Sequence, residues 1–316
     1  MKIKIFCLLI CLTAINYSFA QSRVNEVGFQ TDNDSYLAQG SDRYYTNGIF
    51  LYFRHALKIN DQDTARLKNK IVGFEAGQKM YNPQGGNIPA PEYVDRPFAA
   101  YLYIGSTLNL LYSDESNLKL GAQVGIVGPD ALGHEAQDVI HKWFGFYPPT
   151  GWQYQVNDGV ELNLSAEYNK LLARGKSVDL TFNSYGNLGN GFSGAGAGLM
   201  IRAGNFNRLF NSVSTQSTAS RLNGSGQLHK HEFFAYYKPA LNYVAYDATI
   251  QGSLFKNHTA NEITLNREPL ILSNQLGVAY TANHWVIDGS AIFHTKDVKE
   301  MVQAHQWASV TLLYRF

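Results

Sequence analysis

The sequence predicts an all-β fold, a twelve-stranded antiparallel transmembrane β-barrel with one helix in an extracellular loop. Three observations predict it. From Val24 onward, segments of about ten residues alternate apolar and polar side chains, as expected for strands between lipid and a polar lumen. The chain is rich in aromatic residues and glycine, with 20 Tyr, 18 Phe and 28 Gly. After the N-terminal segment, no apolar run is long enough for a membrane-spanning helix.

The first twenty residues predict a secretory signal peptide, 1–20. Lys2 and Lys4 precede an apolar core, and the segment ends in Ser18-Phe19-Ala20, a small-x-small cleavage pattern. A transmembrane anchor is the alternative, but the apolar run is short for a span. We therefore expect residues 21–316 to form the mature outer-membrane β-barrel domain.

Cysteine content and charge exclude several classes of site and partner. Cys7 and Cys11 both lie in the predicted signal peptide, so the mature chain would have no disulfide, thiolate metal site or cysteine nucleophile. The full chain has a formal net charge of +1, and loss of Lys2 and Lys4 would bring it to about −1. Without a basic patch, we expect no nucleic-acid partner. We also expect a monomer in the outer-membrane bilayer.

Twelve strands are expected. Their ranges are 24–32, 46–57, 70–80, 97–111, 117–127, 155–172, 176–187, 193–205, 229–247, 266–281, 283–295 and 304–316. The fifth shows the alternation most clearly, with five apolar side chains on one face: Leu118, Leu120, Ala122, Val124 and Ile126. The last strand alternates in the same way and ends on an aromatic residue, Phe316. In this it resembles the terminal strand of outer-membrane barrels.

An even number of strands places both termini in the periplasm, so alternate connections lie on the same side of the membrane. The connections 33–45, 81–96 and 128–154 are then extracellular, and they carry the unusual polar residues of the chain. The one long periplasmic connection, 206–228, is rich in Ser, Thr, Asn and Gly and is expected to be flexible.

A helix is predicted between Gly128 and Gly145, with Pro129 at its start and Asp130 as its N-cap. At about 100° per residue its two faces differ. The apolar stripe contains Ala136, Val139, Ile140 and Trp143, and the opposite stripe contains His134, Gln137, Asp138 and His141. We expect the polar stripe to meet the 31–48 segment at one rim of the barrel and form a hydrolytic site.

Two groups of residues could bind a metal ion. Asp32, Asn33 and Asp34 offer oxygen ligands that suit a hard cation such as calcium, although an Asx-rich turn explains them equally well. His141 could be a general base, a metal ligand or a solvated residue. A zinc site with His134 is disfavoured, because Asp138 stands where the His-Glu-x-x-His pattern requires histidine.

Arg43 and Arg96 could recognise phosphate, but each follows an acidic residue, so local ion pairs are favoured. Aromatic residues near the helix, Trp143, Phe146, Tyr147 and Trp152, are expected in the interfacial girdle of any barrel.

Five motifs in the first half of the mature chain resemble the lipid A 3′-O-deacylase family (LpxR-like). They are Asn33-Asp34, Tyr45-Thr46-Asn47-Gly48, Asp95-Arg96-Pro97-Phe98-Ala99, the block from Gly125 to His141, and Gly151-Trp152-Gln153 followed by Gln155. The resemblance implies a twelve-stranded outer-membrane barrel that uses calcium to hydrolyse the ester of the 3′-acyloxyacyl group of lipid A. Lipopolysaccharide would be the substrate, and the active site would lie on the extracellular side.

The resemblance also implies roles for individual residues. His141 would activate water, and Asn33 and Asp34 would hold calcium or arrange the oxyanion site. Thr46 and Gln137 would complete the polar pocket. One departure concerns the loop after Tyr81: Ile88-Pro89 stands where some members carry basic residues, which puts phosphate recognition by that loop in doubt.

Two alternatives of other kinds remain open from the sequence. One is an outer-membrane phospholipase with a serine nucleophile, for which Ser35 and Ser41 lie near the expected site. The other is a non-catalytic porin or adhesin whose rim residues only bind ions.

Overall fold

The computed structural model describes residues 23–38, 42–60, 66–222, 226–255, 259 and 261–316. The predicted signal peptide, 1–20, lies outside the described residues. Twelve strands form one closed barrel in which each strand pairs antiparallel with its neighbours, and β1 pairs with β12. The predicted fold class is therefore confirmed. The strands are β1 Asn25–Asn33, β2 Tyr44–Ala56, β3 Leu67–Asn82, β4 Ala99–Tyr112, β5 Ser116–Val127, β6 Gly159–Arg174, β7 Val178–Gly189, β8 Phe192–Asn205, β9 Glu232–Asp247, β10 Leu270–Ala282, β11 Trp285–His294 and β12 His305–Arg315.

Alternation along each strand separates an apolar outer surface from a polar lumen. On β5, Leu120 and Val124 are exposed on the outside, as predicted. On β4, Ile104 points outward and is exposed, whereas Tyr101 and Tyr103 are buried inside and stack on each other. This arrangement is the one expected of a barrel surrounded by lipid. We call the end where β1 begins and β12 ends the terminal end, and the opposite end the site end.

The predicted helix has a different start from the one expected. A 3-10 turn spans Pro129–Ala131, and helix α1 begins only at Gly133 and runs to Phe144. Leu132, in the left-handed region at φ 58°, separates the two, so Asp130 does not cap α1. Gly145 ends the helix at φ 75°, as predicted. A second helix, α2, is a single turn, Ala248–Gln251. None of the helices among the described residues has the length and apolar character to cross a membrane.

The connection after β8 was expected to be flexible, and this prediction is wrong for its described part. It folds into two 3-10 turns, Leu209–Asn211 and Val213–Thr215, that fill the terminal end of the barrel. We call residues 206–222 the plug. Lumen side chains from several strands bind it: Asn69 donates to three plug carbonyls, and Glu232 accepts from Ser212 Oγ. Several of its polar groups are thus hydrogen-bonded to the wall.

Candidate functional site

The candidate site lies on the outside of the barrel wall, at the site end, between β2–β4 and α1. The outward residues Met80 and Ala100 join a buried apolar cluster with Trp152, and Ala136 and Ile140 of α1 pack against that cluster. This contact fixes α1 against the wall. Its remaining inner face presents Gln137 and His141, which are only 3% and 2% exposed. Polar side chains are thus buried between the helix and the wall.

A β-bulge brings Thr46 into this site. Tyr45 pairs with Tyr81 and Asn47 pairs with Met80, so Thr46 is an extra residue without a partner on β3. The Tyr45 side chain stays in the lumen, and the backbone N–H of Tyr45 donates to His305 Nε2 at 3.1 Å. Thr46 Oγ1 instead lies at 3.3 Å from carboxylate oxygens of both Asp34 and Asp42. Because one hydroxyl has one proton, it can donate to only one of them at a time.

The chain that enters β2 is strained. Asp42 and Tyr44 both have positive φ angles, 44° and 58°, although neither is glycine. Such conformations cost about 1–3 kcal/mol each and persist only where the surroundings fix them. The Tyr44 hydroxyl donates to Asp95 at 2.7 Å, and the Arg43 N–H donates to Asp34 Oδ2 at 2.8 Å. These contacts hold the Asp42 carboxylate at the site.

Asn33 and Asp34 lie where β1 ends. Asn33 faces outward beside Asn47 and caps the 3-10 turn Asp34–Leu37, because its Oδ1 accepts from the Ser35 N–H at 2.7 Å and from Ser35 Oγ. Asp34 is the buried residue of that turn. The side-chain oxygen of Asn33 is therefore already used, whereas Asp34 points at Thr46 and the start of β2.

His141 is held in a defined orientation. Its Nδ1 lies 2.5 Å from the carbonyl oxygen of Tyr147, which can only accept, so Nδ1 carries a proton. Its Nε2 lies 3.1 Å from Asp42 Oδ2. The rings of Phe146 and Tyr147 meet the imidazole edge-on. Nε2 is thus the nitrogen that faces the carboxylates.

The Gln137 side chain is held through its oxygen, which accepts a hydrogen bond. Trp152 Nε1–H donates to Gln137 Oε1 at 2.7 Å, so the amide nitrogen must point the other way. Gln137 Nε2 is buried and has no hydrogen-bond partner among the described residues. A buried donor without a partner is costly, so an acceptor atom of water or of a ligand would stabilise it.

Tyr147 and Gly86 close the site. The Tyr147 hydroxyl donates to Asp42 Oδ2 at 2.5 Å, and burial together with this bond raises the pKa of Tyr147 above its ordinary value. A Cβ on Gly86 would lie 2.6 Å from the Tyr147 hydroxyl, 3.1 Å from Gln137 Nε2 and 3.2 Å from Asp42 Cβ. The backbone of Gly86 therefore lies where these three side chains meet.

The structure brings all five predicted site residues to one side of the wall. Contacts link Asp34 to Thr46, Thr46 to Asp42, and Asp42 to His141, and Gln137 lies beside Asp42 across Gly86. Sequence reasoning missed the positions of Asp42, Tyr147 and Trp152. From the sequence, Asp42 is expected to pair with Arg43 and both aromatic residues to lie in the girdle, and Trp152 belongs to a family motif without a role of its own.

The other candidates have structural contacts. Asp138 pairs with Lys142, and His134 is exposed beside Trp152, so these two do not join His141. Across the described ranges, no group of three or more His, Cys, Asp or Glu side chains could hold a metal ion. A cation here would need amide, hydroxyl or carbonyl oxygens besides Asp34 and Asp42.

The side chains of the two candidate phosphate-binding arginines also contact other parts of the protein. Arg43 Nε donates to the Gln84 carbonyl. Arg96 is buried, stacks on Tyr81 and donates to Thr249, so its main partners are not the preceding acid. Ile88, at the departure from the family pattern, is buried in the cluster with Trp152, where it packs the loop.

The sequence profile of the family described as "Outer membrane protein LpxR" matches residues 5–316. No curated protein sequence matches this chain.

The solved structure of LpxR from Salmonella typhimurium superposes with a TM-score of 0.73 at 22% identity, over 92% of this chain and 100% of that chain. The β domain of the Bordetella autotransporter BrkA matches with a TM-score of 0.47 at 8% identity, over 94% of this chain and 100% of that chain. The translocator domain of the autotransporter NalP from Neisseria meningitidis matches with a TM-score of 0.43 at 12% identity, over 100% of this chain and 95% of that chain. The chain thus belongs to the LpxR family of outer-membrane proteins, the lipid A deacylase family that its motifs resemble.

Proposed function

We propose that this chain is a calcium-dependent esterase that removes the 3′-linked acyloxyacyl group of lipid A, with water activated by His141. One observation carries the proposal. An oriented imidazole and Gln137 Nε2 are buried between the outer wall and α1, beside the convergent carboxylates of buried Asp34 and half-buried Asp42. A substrate that reaches this site must come along the lipid-facing surface, which a membrane lipid can do.

His141 is suited to act as the base. Donation from Nδ1 to the Tyr147 carbonyl orients the ring so that Nε2 faces Asp42 Oδ2 at 3.1 Å, and the Nε2 lone pair would become available to water once that carboxylate binds calcium. In the proposed reaction Nε2 takes a proton from water while the oxygen attacks the ester carbonyl carbon. The tetrahedral intermediate then expels the sugar alkoxide, which recovers the proton from His141, so that an acid and a free hydroxyl are formed. No acyl-enzyme is required.

Gln137 is suited to stabilise the oxyanion. Its Nε2–H groups have no partner among the described residues and lie near Asp42 and Gly86. Asp42 is also the residue whose carboxylate faces Nε2 of His141. A preformed donor costs no reorganisation when charge develops on the carbonyl oxygen, and such a donor contributes about 3–4 kcal/mol in comparable sites. Trp152 would be the residue that positions it.

The carboxylates suit a hard cation. Asp34 and Asp42 approach one hydroxyl, Thr46 Oγ1, and calcium prefers several such oxygen ligands. We assign Asp34, Asp42 and Thr46 as the residues that would hold calcium. Bound calcium would supply positive charge that offsets the two carboxylates and polarises the ester carbonyl. Asn33, whose Oδ1 is used by Ser35, is better placed to contact the substrate through its amide nitrogen.

The two alternatives find less support. Ser35 Oγ donates to Asn33, and the described contacts of His141 include no serine, while Ser41 lies outside the described residues. A porin needs an open lumen, but the plug fills the terminal end. We place the site end on the extracellular side, where lipopolysaccharide is found.

Kinetics of purified protein on lipid A in mixed micelles test the proposal. His141→Ala should lower the rate by about 10²–10⁴, the usual contribution of a general base. His231→Ala, an exposed histidine far along the chain, is the matched control and should be unchanged. Chelation should abolish activity until calcium is restored, and Asp34→Asn should raise the calcium concentration needed. Full activity of His141→Ala would remove the base, and full activity under chelation would remove the cation.

A further inference from the structure

The outer surface of α1 carries exposed apolar side chains, which is unusual for a helix that faces water. Its buried face carries Gln137 and His141, whereas Val139 and Trp143 on the outside are 44% and 80% exposed. The predicted apolar stripe is therefore divided, since only Ala136 and Ile140 pack against the protein. A helix on a water-soluble protein shows the reverse arrangement. Exposed apolar side chains grouped on one surface indicate a non-aqueous partner.

The exposed aromatic surface continues past the end of α1. Phe144 and Phe146 are both more than half exposed, and their rings stack on each other at 5.9 Å. Phe146 also meets the His141 imidazole at 5.6 Å. The surface therefore reaches from the outside of the helix to the edge of the candidate site.

The apolar belt of the barrel flanks this surface on both sides. Register places one row of outward residues across β2 to β6: Ile49, Gln78, Leu102, Ile126 and Val160. The α1 region covers the middle of the row, because Gln78 donates to the Ala131 carbonyl and Leu102 packs in the cluster below α1. At the ends of the row, Ile49 and Val160 are exposed apolar residues of the lipid-facing wall. Lipid that contacts these residues borders α1 directly.

The charged residues of α1 lie along a second exposed edge, separate from the edge that carries Val139 and Trp143. Glu135 and Lys142 are exposed there, and Lys142 pairs with Asp138 one turn away. At about 100° per residue, this edge lies next to the one that carries Val139 and Trp143. A helix with one apolar and one charged exposed edge is typical of helices that lie in the plane of a membrane interface.

We propose that Val139, Trp143, Phe144 and Phe146 insert into the hydrocarbon of the leaflet at the site end, so that α1 is an interfacial membrane anchor. The charged edge then faces the headgroups and water. Insertion would place the mouth of the site at the level where acyl chains join headgroups. That consequence rests on the proposed function, but the membrane contact itself does not.

Spin labelling tests the insertion without any measurement of activity. Residues 21–316 contain no cysteine, so in protein made from them Val139→Cys, Trp143→Cys, Glu135→Cys and Lys142→Cys each provide one labelling position. Each labelled protein is reconstituted in vesicles of phosphatidylethanolamine and phosphatidylglycerol. Power saturation is then measured with oxygen, which concentrates in lipid, and with a water-soluble nickel chelate.

Labels at Val139 and Trp143 should be relaxed several-fold more by oxygen than by the nickel chelate, and labels at Glu135 and Lys142 should show the reverse. Equal access of the nickel chelate to all four positions would overturn the proposal. The predicted label pattern, together with no deacylation of lipid A by the wild-type protein, would contradict the proposed function and leave the anchor standing.

Discussion

The two ends of this barrel both bury polar groups, and they differ in how those groups are paired. In the plug most of them are hydrogen-bonded, although Arg208 Nε is not. In the plug, the Arg202 guanidinium binds Asp179, Ser212 and a plug carbonyl, and Glu232 accepts from two backbone N–H groups and a serine. In the site, Gln137 Nε2 has no partner, and two carboxylates approach a single Thr46 hydroxyl. Polar groups that bind one another stabilise the fold, whereas groups left without partners are available to a ligand.

Each of the following changes tests this difference, and they are ordered by the expected effect on the rate of hydrolysis. Gln137→Ala should have the largest effect, a loss of about 10²–10³ in kcat, because it removes the proposed oxyanion donor. The midpoint of thermal unfolding should fall by a few degrees only, because the change leaves the buried Trp152 Nε1–H without its acceptor at a cost of about 1–3 kcal/mol. Steady-state kinetics and thermal unfolding measured by circular dichroism check both.

Gln153→Ala is the matched control, since Gln153 is an exposed glutamine in the same loop as Trp152. An unchanged kcat for Gln137→Ala would show that the donor without a partner has no part in catalysis.

Gly86→Ala should have a smaller effect. Its Cβ would approach Tyr147, Gln137 and Asp42 within 3.2 Å or less, and relief of this crowding should cost roughly 1 kcal/mol and lower the rate about fivefold. Gly289→Ala is the control, because nothing lies within 4 Å of its Cβ position and neither glycine has a positive φ. If both variants hydrolyse lipid A at the wild-type rate, the site has more room at Gly86 than the structure indicates.

Arg202→Met should have the smallest effect on rate and a large effect on stability. It leaves Asp179 in the plug region with fewer partners, and loss of one member of a buried ion pair costs about 3–5 kcal/mol. The rate per folded molecule should equal that of the wild type, since the plug is at the opposite end from the site. A large loss of rate in fully folded Arg202→Met would show that the two ends are coupled.

The parts of the fold that follow a local period could be predicted from the sequence. Alternation with a period of two identified all twelve strands and the lipid-facing side of β5, because each strand lies between lipid and lumen throughout. Residues at β1, β2 and α1 could also be assigned to one side of the barrel by counting connections. The family resemblance supplied the roles of His141 and Gln137.

The remaining features depend on contacts between distant segments. The plug has a composition typical of flexible loops, and the lumen residues that order it, such as Asn69 and Glu232, lie on separate strands. Periodicity divided α1 into two stripes but could not show that Gln137 and His141 of the polar stripe are buried against the wall, because polar residues usually face water. Asp42 joins His141 only through a strained turn and the bulge at Thr46, which no short motif reveals.

The central claim is that this barrel removes the 3′ acyloxyacyl group of lipid A through His141. Mass spectrometry of lipid A, extracted from calcium-supplied cells that produce either the wild-type chain or His141→Ala at equal levels, tests it most directly. We predict that wild-type cells contain lipid A lighter by the mass of that group, and that His141→Ala cells contain only the full-length form. Unmodified lipid A in both, or the same shortened lipid A in both, would contradict the claim.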